Sequence, residues 1–195
     1  MVKANRSGQA ATLTPEQLDQ IIAGCSPKFA AVLSVCRFTA CRVTESLSLR
    51  WENIMPDTLV FPRLITKKKM ATREIPVSQT LAQALQQWKT QWPTTYEGEY
   101  EKTDWVFPAF KDSTKHLARP RVDEALRASC RKVGVEGAST HSFRRSALTQ
   151  ASTAGVPLRH IQALSGHSSL EQLQRYLDVS GTRRNKRQWP SASAS

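Results

Sequence analysis

Between residues 58 and 77 the chain packs three short β-rich runs, TLVF, RLIT and REIPV; WVFPAF, at residues 105–110, is one further short extended piece. Runs of four or five residues, split by Pro62 and the turn-like KKKMAT, make only a small antiparallel sheet, with Lys67, Lys68 and Lys69 at its hairpin tip. A sheet of that size cannot hold a domain of 195 residues together, so helices must supply the core. The expectation is a mainly α fold with a small antiparallel β-sheet, an α+β domain.

The helical segments carry their own punctuation. In TPEQLDQII, Thr14 caps, Pro15 suits the first helical position and Gln17 closes a capping box. Further helices are expected over residues 27–40, 44–49, 78–91, 120–133, 141–154, 157–164 and 170–177. Gly155 and Gly166 fall where helix stops belong. Ser168 is the expected cap of the last helix, with Glu171 completing S-x-x-E and Leu170, Leu173 and Leu177 sharing a buried face. The stretch WPTTYEGEYEKTD is expected as a long, locally acidic loop. Residues 1–11 are expected as a flexible arm, 12–179 as the domain proper, and 180–195 as a basic tail that ends Ser/Ala-rich.

Charge narrows the function. Lys and Arg number 28 against 16 Asp and Glu, a net charge of +12. With 39% hydrophobic and 23% charged residues the chain is a globular type, and its surplus points to a polyanion, most often nucleic acid. No apolar run approaches membrane-spanning length, no long basic amphipathic helix stands out, and MVKANRSGQAATLTPE has no secretion-signal core, so a cytoplasmic protein with no membrane partner is expected. Cys25, Cys36, Cys41 and Cys130 form no C-x-x-C pair and read as reduced core thiols, with no metal site expected.

Several polar side chains have chemical potential, each with a plainer alternative. In HSFRRSALT, His141 and Arg144 are three apart at a helix start, on one face; a guanidinium fork matches phosphate oxygens, and the imidazole adds a hydrogen bond. The plainer reading is two surface groups on an amphipathic helix. Arg42, in TACRVTESLSLRWENI, could equally be an internal ion pair with Glu45. The lysines of ITKKKMATREIPV form either a solvated turn or a mobile donor reaching into a groove. In LSGHSSLEQLQRYLDV, His167 precedes the helix cap and Tyr176 lies at the edge of the leucine stripe; taken alone, both are ordinary.

Taken in order, Arg42, Lys68, His141, Arg144, His167 and Tyr176 form a more specific pattern. It resembles the catalytic domain of the tyrosine recombinases, the phage-integrase family, from LTPEQLDQII through YLDV. TACRVTESLSLRW resembles that family's T-G-x-R-x-S/T-E box, HSFRR its H-x-L-R-H box, and LSGHSSLEQLQRYL its L-G-H-S-S-x-x-x-T-x-x-Y segment. The chain departs from the pattern at Ala40 (usually Gly), Arg145 (commonly a second His), Ser165 (usually apolar) and Leu177-Asp178 (often Thr-His). The family's hairpin lysine falls on Lys68, with Lys67 and Lys69 as alternatives. A separate helical DNA-binding domain usually precedes this one, so the chain is either an excised catalytic domain or a short member.

The resemblance implies the tyrosine recombinase catalytic-domain fold and strand cleavage without metal, nucleotide or other cofactor. Tyr176 would attack a scissile phosphate, forming a 3′-phosphotyrosyl bond and releasing a 5′-hydroxyl, with Arg42, Arg144 and His141 clamping the oxygens. Lys68 would protonate the leaving oxygen, and His167 would bond the phosphate or help deprotonate the phenol. Lys67, Lys69, Arg73, Arg145, Arg119 and Arg121 are the expected DNA contacts. Expected partners are double-stranded DNA, further copies of the chain in a dimer or tetramer on DNA, and accessory DNA-bending proteins, in a prokaryotic or phage-encoded, nucleoid-associated setting. Residues 180–195, with Trp189, are the candidate docking segment for a neighbouring copy. The alternatives are a non-cleaving DNA-binding regulator on the same fold and a type IB topoisomerase-like activity.

Overall fold

A computed structural model describes residues 10–66, 71–96, 98–174 and 177. Its centre is a helix, α2 (Pro27–Thr39), whose Ala31, Val32, Leu33, Val35 and Cys36 are buried on every side. A helix apolar all round must run through a core rather than over it. Around it pack α1 (Pro15–Ala23), α3 (Val43–Leu47), α4 (Gln79–Thr90), α6 (Arg119–Lys132) and α7 (Thr140–Thr153). The Thr14 capping box forms as expected: Thr14 Oγ1 accepts from the Gln17 amide at 3.2 Å, and Gln17 Oε1 accepts from the Thr14 amide at 3.0 Å. Gly24 ends α1 against α6, where an added Cβ would lie 2.4 Å from Ser129 Oγ.

Among the described residues the sheet has two strands, β1 (Thr58–Phe61) and β2 (Arg73–Pro76), paired antiparallel with Leu59 opposite Ile75 and Phe61 opposite Arg73. Leu59, Phe61, Ile75 and Arg73 occupy the inward face. RLIT is not a third strand: residues Arg63–Ile65 form a 3-10 turn, closed by Thr66 Oγ1 donating to Arg63 O at 2.9 Å. Pro62 has no N–H to give a ladder, so the chain leaves the sheet there. The expected acidic loop also gains structure, with a short helix α5 (Trp92–Thr95) held by aromatic packing: Trp92 lies edge-on to Trp88 at 6.0 Å and beside Tyr96 at 4.9 Å. Lys28, at the start of α2, is only 3% exposed; its Nζ donates to Tyr96 Oη at 2.5 Å and to Pro108 O, among the rings of Trp88, Tyr96 and Phe110. Burial pushes its pKa down to about 8.

A second, smaller apolar cluster joins Ala40, Leu148, Ile161 and Leu173, and seats α8 (Leu158–Ser165) and α9 (Leu170–Gln174) on α7. Leu173 is fully buried, with Leu170 and Leu177 packed against the cluster. The amide of Gln172 is capped by Ser169 Oγ at 3.2 Å, one residue later than expected, while Ser168 Oγ donates to Gln172 Oε1 at 2.8 Å. All four cysteines are free thiols. Among the described residues no helix is long and apolar enough to cross a membrane, and no group of three His, Cys, Asp or Glu side chains gathers as a metal set.

Candidate active site

The site forms where α2 and α8 both end. Ala40 takes the left-handed conformation at φ 50°, the one described non-glycine residue to do so, and this reversal turns the chain from α2 into α3. Arg42 then occupies the extended position ahead of α3. Glu45, three residues on, accepts from the Arg42 amide at 3.0 Å and from Arg42 Nη1 at 2.9 Å. The same carboxylate, 2% exposed, accepts from Arg73 Nη2 at 2.7 Å. Burial alone would raise the Glu45 pKa; the Arg73 charge, the Arg42 amide and the charges of Arg42 and Arg144 outweigh it and hold the carboxyl below its usual range.

Arg144, on α7, is 1% exposed. Its Nη1 donates to Ala40 O at 2.5 Å and its Nη2 to Ser165 O at 2.9 Å. Arg73 Nη1 donates to Leu164 O at 2.7 Å. These carbonyls belong to helix ends, where C=O groups lack intrahelical partners and the macrodipole is negative, so two helix termini stabilise the guanidinium groups. Gly166, at φ 66°, stops α8; a Cβ there would press on Arg73 Cδ at 3.2 Å.

The turn at Gly166 delivers His167. Its Nδ1 lies 2.7 Å from Ser165 Oγ and its Nε2 3.1 Å from Arg144 Nη2. Burial first, then the charges of Arg144, Arg42 and Arg73, push its pKa down to about 3, against the opposing pull of Glu45. The ring is therefore neutral at neutral pH.

Of the residues expected from the sequence, Arg42, Arg144 and His167 come together. His141 sits at the second position of α7 and is exposed, so the face it shares with Arg144 runs from the helix start at the surface into the interior. Arg73 and Arg145, expected as DNA contacts, are buried: Arg73 is part of the cluster, and Arg145 Nε donates to Thr12 Oγ1 at 3.0 Å. Arg119 and Arg121 are exposed in the first turn of α6, paired with Asp123 at 3.5 Å and Glu124 at 3.1 Å. Lys67, Lys68, Lys69 and Tyr176 lie outside the described residues, as do the expected arm up to residue 9 and the tail with Trp189.

Two contributors were missed at the level of role. Arg73 shares the inward strand face with Ile75, a period-2 position that could have marked it as interior. Ser165 is a hydroxyl in a slot where an apolar residue was the norm. Chemically, the cluster sets three guanidinium groups against one carboxylate beside a neutral imidazole, and Arg42, its side chain 21% exposed, is the most open of the three. Such a surplus of enclosed positive charge suits an incoming anion with several acceptor oxygens.

The chain belongs to the phage integrase family, whose model matches residues 11–183. It is 29% identical over 155 residues to tyrosine recombinase XerC of Pediococcus pentosaceus, covering 76% of this chain and 49% of that protein. It is 23% identical over 174 residues to the integrase of Salmonella phage P22, covering 84% and 42%. The chain thus spans about half the length of the curated relatives it matches. Among solved structures it resembles XerA recombinase (TM-score 0.75, 16% identity, 90% of this chain and 63% of that one). It also resembles a lambda integrase fragment bound to a core site (TM-score 0.68, 17% identity, 99% and 66%). The fold is that of tyrosine recombinase catalytic domains, mainly α with a small antiparallel sheet.

Proposed function

We propose that this chain is the catalytic unit of a site-specific DNA recombinase that cuts and rejoins DNA through a 3′-phosphotyrosyl intermediate, with residues 12–179 as the catalytic domain. The observation that carries the reading is the cradle of Arg42, Arg73 and Arg144 around Glu45, beside a neutral His167. Double-stranded DNA is the substrate, as its family relationship and its net charge of +12 both favour. The phenol oxygen of Tyr176 attacks phosphorus, its proton passing to His167, while the bond to the 5′-oxygen breaks and that oxygen takes a proton from Lys68. Arg42 and Arg144, with His141, draw off the negative charge that builds on the non-bridging oxygens. The energy of the broken phosphodiester is kept in the tyrosyl ester, so rejoining needs no nucleotide. Arg119 and Arg121, with Lys67 and Lys69, track the backbone. Copies of the chain assemble on DNA as dimers or tetramers, with residues 180–195 as the docking segment and DNA-bending proteins as accessory partners.

The test is a nicked suicide duplex carrying the cognate site, taken from the DNA flanking the reading frame. Wild-type protein traps a covalent adduct and Tyr176→Phe does not. Absence of an adduct on every flanking site, with duplex binding intact, would overturn cleavage in favour of a non-cutting regulator; plasmid relaxation without strand exchange would favour a topoisomerase.

A further inference from the structure

Charge balance does not explain why Arg73 is in the cluster. Three guanidinium groups already exceed the single carboxylate of Glu45, and a buried ion pair rarely stabilises a fold more than apolar residues of the same size would. Arg42 is partly open and Arg144 lies against His167, whereas Arg73, 8% exposed, is turned inward. What sets it apart is where its two Nη groups go. Nη2 donates to Glu45 Oε2 at 2.7 Å, the same oxygen that accepts from the Arg42 amide at 3.0 Å. Nη1 donates to Leu164 O at 2.7 Å, at the end of α8. A guanidinium only donates, while a carboxylate and a carbonyl only accept, so both bonds have a single reading. The rest of the side chain is packed. Its Cζ lies 5.0 Å from the centre of the Phe61 ring, and a Cβ on Gly166 would come 3.2 Å from its Cδ and 3.3 Å from its Nε.

We propose that Arg73 is a positioning residue: its planar fork ties the carboxylate that aims Arg42 to the helix end that delivers His167, and so sets the gap between them. Arg144 makes a parallel tie from α7, joining Ala40 O, at the end of α2, to Ser165 O, at the end of α8. Two forks on two elements, β2 and α7, thus bridge the same pair of turns. The second tie has a purpose when an anion arrives. A phosphate oxygen that takes hydrogen bonds from Arg144 draws on the donors that hold Ala40 and Ser165. Arg73, enclosed by Phe61 and the Gly166 turn, keeps the spacing through that exchange. A lysine would not replace it, because an ammonium on a flexible stem lacks the fixed fork that meets two acceptors at once. The meaning for catalysis rests on the proposed cleavage reading; the tie itself does not.

Two readouts on the full chain test it. The first is amide hydrogen exchange. In Arg73→Gln the Arg42 amide, bonded to Glu45, and the His167 amide, bonded to Gln162 O at 3.3 Å, should both exchange faster while α2 keeps its protection. The second is single-turnover adduct formation on the nicked duplex. Arg73→Lys and Arg73→Gln should both slow it on the order of tenfold to a hundredfold, the scale of a small misplacement of reacting groups, with duplex affinity unchanged. Leu81→Ala, at a fully buried core position on α4, supplies a loss of stability without touching the tie and should leave the rate as it is. Wild-type rate in Arg73→Lys would make charge alone sufficient. A loss in Leu81→Ala as large as in Arg73→Lys would reduce the effect to general stability, and affinity falling in step with rate would place Arg73 on the DNA. Faster exchange at only one of the two amides would break the bridge. Any of these overturns the proposal. Should wild type form no adduct while both amides loosen in Arg73→Gln, the cleavage reading fails and the tie stands.

Discussion

At the scale of single residues, Glu45 is the joint of the cradle. Removing one partner of a buried ion pair leaves the others uncompensated and typically costs about 3–5 kcal/mol; here two arginines share the carboxylate. Glu45→Ala should lose a stability of that order in urea unfolding, and Glu45→Gln should lose less by keeping the acceptor oxygen. Gly166→Ala meets two obstacles, a left-handed backbone at φ 66° and the Arg73 side chain 3.2 Å away. A left-handed non-glycine residue costs about 1–2 kcal/mol, so this variant should be destabilised by at least that much in the same assay. His167 fixes the sign of the acid response. Its native pKa of about 3 lies below the unfolded value of about 6.5. Between those values the unfolded chain binds more protons, so stability is complete above about pH 6.5 and is lost as pH falls toward 3. In His167→Gln the slope of unfolding free energy between pH 6.5 and 5 should flatten, while the Glu45 contribution below that range persists. The arginines and histidine of this site were legible because each lies in a compact box of sequence. The plainer reading of Arg42, an ion pair with Glu45, is also present, since the pair is what aims the guanidinium. Arg73 was legible as a cation but not as an interior one, because charge suggests surface unless strand register is followed residue by residue.

At the scale of elements, helix boundaries were read to within a residue or two where capping chemistry is local, as at Thr14, Pro27, Ser78 and Gly166. Where packing decides, the sequence was less informative. Pro62 diverts RLIT from the sheet, and the aromatic contacts of Trp92 and Tyr96 make a helix out of an expected loop. The seating of α9 illustrates the same balance. Leu173, fully buried in the cluster with Leu148 and Ile161, is what ties this helix to the rest of the fold. Leu173→Ala should therefore act locally: hydrogen exchange of the α9 amides should rise toward unprotected rates while α2 and α7 keep their protection. Equal loss of protection in α2 would show that the smaller cluster is integral to the main core.

At the scale of the whole molecule, the proposed DNA binding would rest first on the net charge of +12. Binding to duplex should weaken steeply with salt, the log–log slope giving roughly 0.9 per phosphate neutralised. Arg119→Ala and Arg121→Ala, at the exposed start of α6, should each lower that slope by about one if they meet phosphates. Far from the cradle, Lys28 ties the start of α2 to the aromatic segment of Tyr96 and Pro108. Its pKa of about 8 lies below the unfolded value, so stability should rise from pH 8 to 10, a slope absent in Lys28→Met.

Arg144 is held by the carbonyls of Ala40 and Ser165, and Arg73 in part by that of Leu164. Every amino acid supplies the same oxygen, so replacing those three side chains leaves the oxygens in place. A systematic alanine scan would pass over most of what grips the buried cations and return a list shorter than the machinery. Ester linkages introduced in place of single peptide bonds, which weaken one carbonyl at a time, would reveal the missing part.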